Sequence, residues 1–147
     1  MLLFRAAGRL CACALEAVRE IVPGRPATRL PGAPTWVDGL INVRGTLLTV
    51  VDLAVRFGAA RAAGAAGVIV IVGGGGKVFG LRVDGVRDVR TLAEGSLEPV
   101  DTLRDAGGVV QALAHVGAAG DESALLCDIE AIAREALAVQ DGTTPHG

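Results

Sequence analysis

The amino-acid sequence predicts an all-β protein made of two similar small units, each of which closes about five short strands into a barrel. Short apolar segments alternate with turns that contain glycine, a pattern typical of barrel strands. The order of residue types in 8–21 returns in 76–89, at a constant offset of 68 residues. Small barrels have no exposed edges, and Val, Ile and Leu fill their centres. We therefore expect partners to bind in the groove between the two units.

The strands are expected wherever apolar residues run together or alternate. These segments are 2–7, 10–15, 39–43, 46–51, 68–72, 77–83, 86–89, 109–116 and 123–127. The segment 16–22 is compatible with either an extended or a helical backbone. Four prolines from Pro23 to Pro34 predict an ordered loop or short turns, since proline fixes its own φ and disfavours helix at the residue before it. Residues 97–108 are expected to form a loop around Pro99.

Two aspartates are expected to begin helices at the ends of strands. The run Val50-Val51-Asp52-Leu53 in the first unit corresponds to Leu126-Cys127-Asp128-Ile129 in the second. Because an Asp side chain can accept hydrogen bonds from the first free amides of a helix, Asp52 predicts a short helix through Phe57. Asp128 likewise predicts a longer helix through about Val139. The apolar stripe of that longer helix, suited to packing on a barrel, consists of Ile129, Ile132, Ala133, Ala136 and Leu137.

The repeat divides the chain into two subdomains of a single domain over residues 1–147. Subdomain one is expected to cover about 10–67, and subdomain two about 76–138. The strands 2–7 and 68–72 lie outside these limits and can pair across the boundary between the subdomains.

Composition and charge exclude several classes of function. The net charge is −2 and aromatic residues make up 3% of the chain, so neither charge nor base stacking favours nucleic acid as a partner. Cys11, Cys13 and Cys127 lack the CxxC spacing of a zinc site. We expect them to be buried thiols, with Cys11 and Cys13 on one face of a strand, in a reducing cytoplasm. No signal peptide is recognised, and 62–76 is too short and glycine-rich to span a membrane.

Phosphate-binding and catalytic patterns are not found either. The glycines 73–76 are followed by Lys77-Val78 and not by the Lys-Ser/Thr of a P-loop, so a hairpin turn is favoured. His115 lies in an apolar strand without a partnered nucleophile, and we expect it to be a packed or rim residue. The sequence therefore predicts no catalytic residue, no metal and no cofactor.

The most specific segment is 39–57, GLINVRGTLLTVVDLAVRF. Gly45 after Arg44 allows a tight turn that presents the Arg44 guanidinium at a rim, and Trp36 is expected to pack beside that turn. Further motifs are Val18-Arg19-Glu20-Ile21, Arg29-Leu30-Pro31 with Pro34, and Val83-Asp84-Gly85-Val86-Arg87-Asp88-Val89. Their order and spacing resemble the CheW family over about residues 2–138.

The resemblance implies two SH3-like five-stranded β-barrel subdomains in a pseudo-twofold arrangement, with short helices and a C-terminal helix. It implies a non-catalytic cytoplasmic adaptor that binds the cytoplasmic tip of a methyl-accepting chemoreceptor and the regulatory domain of a CheA-type histidine kinase. It implies neither nucleic-acid binding nor direct membrane insertion. The partner-binding residues that it implies are Val18, Glu20, Ile21, Asn42, Arg44, Gly45 and Val86. Arg44 could also be structural, because a guanidinium with several partners can hold loops together.

Two alternatives stay open on the sequence alone. The chain could be a CheW-like scaffold of a related kinase pathway, such as twitching or gliding motility. It could also be a small ligand-binding or enzymatic domain, which requires a convergent set of polar groups that the sequence does not reveal.

Overall fold

The computed structural model describes residues 1–60, 67–93, 95–100, 108–117 and 121–137. Its strands are β1 (Leu2–Ala6), β2 (Arg9–Cys13), β3 (Val18–Pro23), β4 (Val37–Val43), β5 (Thr46–Asp52), β6 (Val68–Gly74), β7 (Lys77–Val83), β8 (Gly85–Val89), β9 (Leu97–Pro99), β10 (Val110–Val116) and β11 (Glu122–Cys127). A 3₁₀ turn at Leu15–Ala17 precedes β3, and the helices are α1 (Leu53–Arg56) and α2 (Ile129–Leu137). The predicted strands are confirmed, and the ambiguous segment 16–22 divides between the 3₁₀ turn and β3.

The strands form two sheets, and the prediction of a mostly β fold is confirmed. Within the described residues, the first sheet has five strands in the order β3-β6-β7-β5-β4, and the second has six in the order β8-β1-β2-β11-β10-β9. The sixth strand was not expected, because β9 lies in the segment predicted as a loop and pairs with β10. Residues 101–107 of that predicted loop lie outside the described part of the chain.

The two halves of the chain exchange their first hairpins. β1 and β2 lie in the second sheet with β8 to β11, whereas β6 and β7 lie in the first sheet with β3 to β5. The sheets therefore differ from the expected division, which assigned 10–15 to the first subdomain and 77–83 to the second. A repeated sequence does not determine which copy of a hairpin completes which sheet, because both copies offer equivalent strand edges.

The parallel strand pairs show how the two sheets correspond. In the first sheet Val50 lies opposite Gly80, and in the second Leu126 lies opposite Ala12. The offset of 68 relates Ala12 to Gly80, and the two Asp motifs relate Val50 to Leu126. Each sheet thus has the same pairing with the roles of the two halves interchanged, as a pseudo-twofold arrangement requires.

The buried apolar side chains form three clusters, one of which joins the two sheets. The main core takes side chains from both sheets and from α2. A first-sheet core and a second-sheet core each draw their buried side chains from one sheet. Strand alternation decides which cluster receives a residue: Leu2 and Phe4 of β1 belong to the main core, and Leu3 between them belongs to the second-sheet core.

The three cysteines are buried in the main core, and Cys11 and Cys13 lie on one face of β2 as predicted. Burial raises the pKa of the Cys13 thiol to about 11. A side-chain hydrogen bond with Cys11, together with burial, raises the pKa of the Cys127 thiol well above its ordinary value. Since the thiolate is the reactive form of cysteine, the side chains of Cys13 and Cys127 are suited to packing.

Both predicted helix caps are present. The Val55 amide donates to Oδ1 of Asp52 at 3.3 Å at the start of α1, and the Ala131 amide donates to Oδ1 of Asp128 at 3.0 Å at the start of α2. Gly58 follows α1 with a φ of 94°, as expected of a glycine that ends a helix. The predicted extension of α2 to residue 139 lies outside the described residues.

Candidate docking site

The turn between β4 and β5 is built by residues that the sequence analysis singled out. Arg44 and Gly45 have φ values of 50° and 87°, which are typical of a two-residue hairpin turn. Gly45 adopts a positive φ without strain, and its amide donates to Oδ1 of Asn42 at 2.8 Å. Asn42 and Gly45 therefore fix the turn, and Arg44 is the residue that the turn presents.

The Arg44 side chain forms a two-pronged ion pair with Glu20 of β3. Nη1 donates to Oε2 at 2.9 Å, and Nη2 donates to Oε1. The hydrogen bond from Arg44 lowers the pKa of Glu20 below its ordinary value, and the charges of Arg44 and Arg25 act in the same direction. Because β3 and β4 are the edge strands of the first sheet, the pair joins its two edges. The Arg44 side chain is 70% exposed and that of Glu20 35%, so a partner can reach both.

Val18 and Ile21 lie on the face of β3 that is turned toward the main core, opposite to the face that carries Glu20. They are opposite Val72 and Val70 of β6, which belong to the main core. Val18 packs against that core, and Ile21 is exposed at its margin. Glu20 lies on the face of the first-sheet core. The expected site residues of β3 thus divide between an apolar margin and an ion pair.

Val86 is separate from these residues, because it belongs to β8 at the edge of the second sheet. It lies opposite Phe4 and packs against the main core. The offset of 68 makes Val86 the equivalent of Val18, and Val89 the equivalent of Ile21; Val89 is also exposed. The structure therefore brings six of the seven expected residues to the edges of the first sheet. We call this set the docking site, and it comprises Val18, Glu20, Ile21, Asn42, Arg44 and Gly45.

A second two-pronged ion pair lies at the edge of the second sheet, and the sequence analysis missed it. Arg87 of β8 donates from Nη1 and Nη2 to Oε2 and Oε1 of Glu122, at 3.0 and 2.8 Å. Its hydrogen bond to Arg87 lowers the pKa of Glu122. Arg87 was visible in the repeated motif, but Glu122 lies at the start of β11, outside that motif, so the pairing itself had no signal in the sequence.

A buried guanidinium that the sequence analysis also missed contacts the segments flanking the docking site. The Arg82 side chain of β7 is 7% exposed, and its Nε and Nη2 lie 2.9 and 2.8 Å from Oδ2 of Asp38 in β4. Nη2 also donates to the backbone oxygen of Arg25 at 2.5 Å. The available signal was a charged residue between Leu81 and Val83 in a strand that is otherwise apolar at this end.

The prediction that Trp36 packs beside the Arg44 turn is wrong. Trp36 precedes β4 and Arg44 follows it, and this strand of seven residues spans about 23 Å. The indole ring instead lies against the guanidinium of Arg56, 5.1 Å from the ring centroid. Arg56 in turn donates to Oε1 of Glu135 at 2.9 Å and so links α1 to α2. Trp36 and Arg44 are close in the sequence but far apart in space, because the extended strand β4 lies between them.

His115 lies at an exposed rim, one of its two expected positions. Its Nε2 is 2.9 Å from Oε1 of Glu98, and its Nδ1 is 3.3 Å from Oγ of Ser123. These residues come from β9, β10 and β11, where side chains on neighbouring strands meet in rows. Among the described residues, no group of three His, Cys, Asp or Glu side chains could hold a metal ion. In the same part of the chain, no helix has both the length and the apolar character to cross a membrane.

These features define a two-sheet β protein whose most distinctive surface is a pair of strand edges joined by an ion pair. The chain belongs to the CheW-like domain family, which its residues 1–137 match. The chemotaxis protein CheW of Rhizobium meliloti is 38% identical over 90 residues, which are 60% of this chain and 58% of that protein. The chain therefore spans less than two thirds of that relative.

Two further matches extend over more of the chain. The chemotaxis protein CheW of Klebsiella aerogenes is 31% identical over 126 residues, which are 84% of this chain and 75% of that protein. The crystal structure of the scaffolding protein TtCheW from Thermoanaerobacter tengcongensis matches with a TM-score of 0.77 and 29% identity, over 88% of each chain. The family inferred from the sequence and the expected all-β fold of two subdomains are thus confirmed.

Proposed function

We propose that this chain is a non-catalytic cytoplasmic adaptor that couples methyl-accepting chemoreceptors to a CheA-type histidine kinase. The observation that carries the proposal is the Glu20–Arg44 pair on the edges of the first sheet, together with the apolar margin of Val18 and Ile21 on the opposite face of the same edge strand, β3. Membership of the CheW-like family and similarity to a scaffolding protein support it.

An edge strand with an apolar margin on one face and a fixed ion pair on the other suits a helical partner that lies along the edge, such as the hairpin tip of a receptor. A helix can place apolar side chains against Val18 and Ile21 while a polar side chain reaches Arg44. Because Glu20 already holds Arg44 in one orientation, little side-chain entropy is lost on binding. Apolar contact then supplies most of the affinity, and the ion pair selects the partner and its register.

A coupling protein also needs a second contact, and the equivalent edge of the second sheet offers one. Val86 and Val89 repeat the apolar margin, and the Arg87–Glu122 pair lies beside them. We therefore assign Val86 to a second docking surface. The receptor tip and the regulatory domain of the kinase are the two proposed partners, and the experiment below determines which surface each one uses.

Isothermal titration calorimetry of the full chain with a receptor cytoplasmic fragment, and separately with the kinase regulatory domain, tests the proposal. Glu20→Arg places two like charges side by side, and Val18→Asp places a charge in the apolar contact. Each substitution should lower the affinity for one of the two partners by at least about tenfold, as expected for residues at the centre of an interface. The matched control is Glu122→Arg, which makes the same charge change at the second sheet and should leave that partner's affinity unchanged.

The outcomes separate the site from the function. Affinities that neither Glu20→Arg nor Val18→Asp changes would reject the docking site. Failure of the unchanged chain to bind either partner would reject the adaptor function.

A further inference from the structure

We propose that Arg82 is a positioning residue for the docking site. It holds the segment after β3 and the strand β4 in the register at which Glu20 and Arg44 meet. The proposal rests on the proposed function, because the property that Arg82 controls is the affinity for a partner. Its own hydrogen bonds go to Asp38 and Arg25, which lie outside the docking site.

A continuous series of hydrogen bonds leads from Arg82 to the turn. Nη2 of Arg82 donates to the backbone oxygen of Arg25 at 2.5 Å, and Nη1 of Arg25 donates to the backbone oxygen of Asn42 at 3.3 Å. Oδ1 of Asn42 then accepts from the Gly45 amide at 2.8 Å. Arg25 also helps to lower the pKa of Glu20 through its charge. The residue that Arg82 holds is therefore close to both sides of the ion pair.

The second attachment of Arg82 is on β4, through Asp38. The same two segments meet again at Thr28 and Leu40, where each amide donates to the other residue's carbonyl oxygen at 2.8 Å. Gly39 permits this close approach, because a Cβ at that position would lie 2.0 Å from the Thr28 oxygen. Arg82 thus crosslinks two segments that already run together and that end in the docking site.

Burial makes this guanidinium better suited to fixing geometry than to adding stability. The side chains of Arg82 and Asp38 are 7% and 14% exposed, and the desolvation of two such charges offsets much of their attraction. Nη1 of Arg82 is buried and has no hydrogen-bond partner among the described residues, which adds a further cost. Directional hydrogen bonds to two separate segments are the property that an apolar residue could not supply here. The equivalent position of the second sheet holds Ala14, which is too short to make such a link.

The combined substitution Arg82→Met and Asp38→Asn tests the proposal. It removes both charges together, so no unpaired buried charge is left to unfold the protein. We expect the melting temperature to change by only a few degrees, and the affinity for the partner of the first sheet to fall about tenfold, an ordinary size for coupling between sites. The matched control is Arg56→Met with Glu135→Gln, which removes the ion pair between the helices and should leave this affinity unchanged.

A second background separates positioning from general damage. If Arg82 acts through the ion pair, the combined substitution should cost no further affinity in a chain that carries Arg44→Gln, while its effect on the melting temperature should be the same in both backgrounds. An equal loss of affinity in both backgrounds would overturn the proposal, as would an unchanged affinity in the original background. The proposed adaptor function is tested separately, because it would be rejected if the unchanged chain bound neither partner.

If circular dichroism shows that the combined variant is unfolded, the same affinity measurement is made with Arg82→Lys instead. Lysine keeps the charge but cannot bridge two segments with the planar fork of a guanidinium. We expect a folded protein with reduced affinity. Affinity equal to that of the unchanged chain would then reject Arg82 as a positioning residue.

Discussion

The edges of the two sheets carry the same kind of link with opposite charges. In the first sheet the edge strand β3 supplies the acid, Glu20, and the hairpin turn supplies Arg44. In the second sheet the edge strand β8 supplies the base, Arg87, and the following hairpin supplies Glu122. By the offset of 68, Arg87 corresponds to Arg19 and not to Glu20, so the two pairs lie at similar places in the sheets without being equivalent residue by residue. Two surfaces of similar construction and reversed polarity are suited to different partners.

The interiors behind these edges differ more than the edges do. The first sheet contributes Phe79 and Leu81 to the main core, where the equivalent residues of the second sheet are Cys11 and Cys13. The first sheet also contains the buried Arg82, and the second has only an alanine at the equivalent position. On the other strand of the hairpin the second sheet has the larger side chains, because Leu2 and Phe4 are the equivalents of Val70 and Val72. The internal crosslink by Arg82, and not bulk, should make the first sheet the more rigid of the two.

Truncation at equivalent core positions should reveal the largest difference between the sheets. Phe79 is fully buried, and Phe79→Ala should lower the free energy of unfolding by about 3–5 kcal/mol because the lost ring leaves a cavity. Cys11→Ala removes one heavy atom, as Ile→Val does, and should cost about 0.5–1.5 kcal/mol. Urea unfolding followed by Trp36 fluorescence measures both variants. Equal losses would mean that these two equivalent positions contribute alike to the main core.

Removal of the two helix caps should also cost more stability in the first sheet than in the second, but the difference should be smaller. Asp128→Ala should cost about 1 kcal/mol, the usual effect of losing an N-cap. Asp52→Ala should cost more, because Asp52 is 3% exposed and makes further contacts besides the cap. Thermal unfolding of the two variants, with exposed Gln111→Ala as the control, makes the comparison. A greater loss for Asp128→Ala would contradict the greater rigidity of the first sheet.

Features that depend on near neighbours in the chain were predictable from the sequence. Alternating apolar residues determined the strands, each Asp at a strand end determined a helix cap, and Arg44-Gly45 determined the turn with its exposed guanidinium. The grouping of Glu20 with Arg44 came from the family resemblance. The sequence alone has no rule that brings β3 and β4 together across the intervening proline-rich loop.

Features that depend on the pairing of distant segments were not predictable. The hairpin exchange leaves every strand pattern unchanged, so the repeat was correct while the assignment of strands to sheets differed. Arg82 and Asp38 are 44 residues apart, and Arg87 and Glu122 are 35 apart. The position of Arg82 between Leu81 and Val83 indicates a buried charge, but nothing local to any of these four residues indicates which residue is its partner.

The two edge ion pairs should give the smallest effects, and the effects should be alike. Hydrogen bonding to arginine lowers the pKa of both Glu20 and Glu122 in the folded protein. Such a group contributes stability above its unfolded pKa, and the contribution is lost as the pH falls through the lower, folded value. The four side chains are 30–70% exposed, so the contribution of each pair to the free energy of unfolding should be slight and should weaken further at high salt.

A carboxyl-carbon NMR titration of the two glutamates isolates each pair. Arg44→Gln should return the pKa of Glu20 toward its ordinary value and leave that of Glu122 unchanged, and Arg87→Gln should do the reverse, because the pairs lie in different sheets. A substitution that shifted both carboxyl groups would show that the two edges are coupled through the main core. In that case a partner bound at one edge would change the other, and the sheets could not be treated as independent docking surfaces.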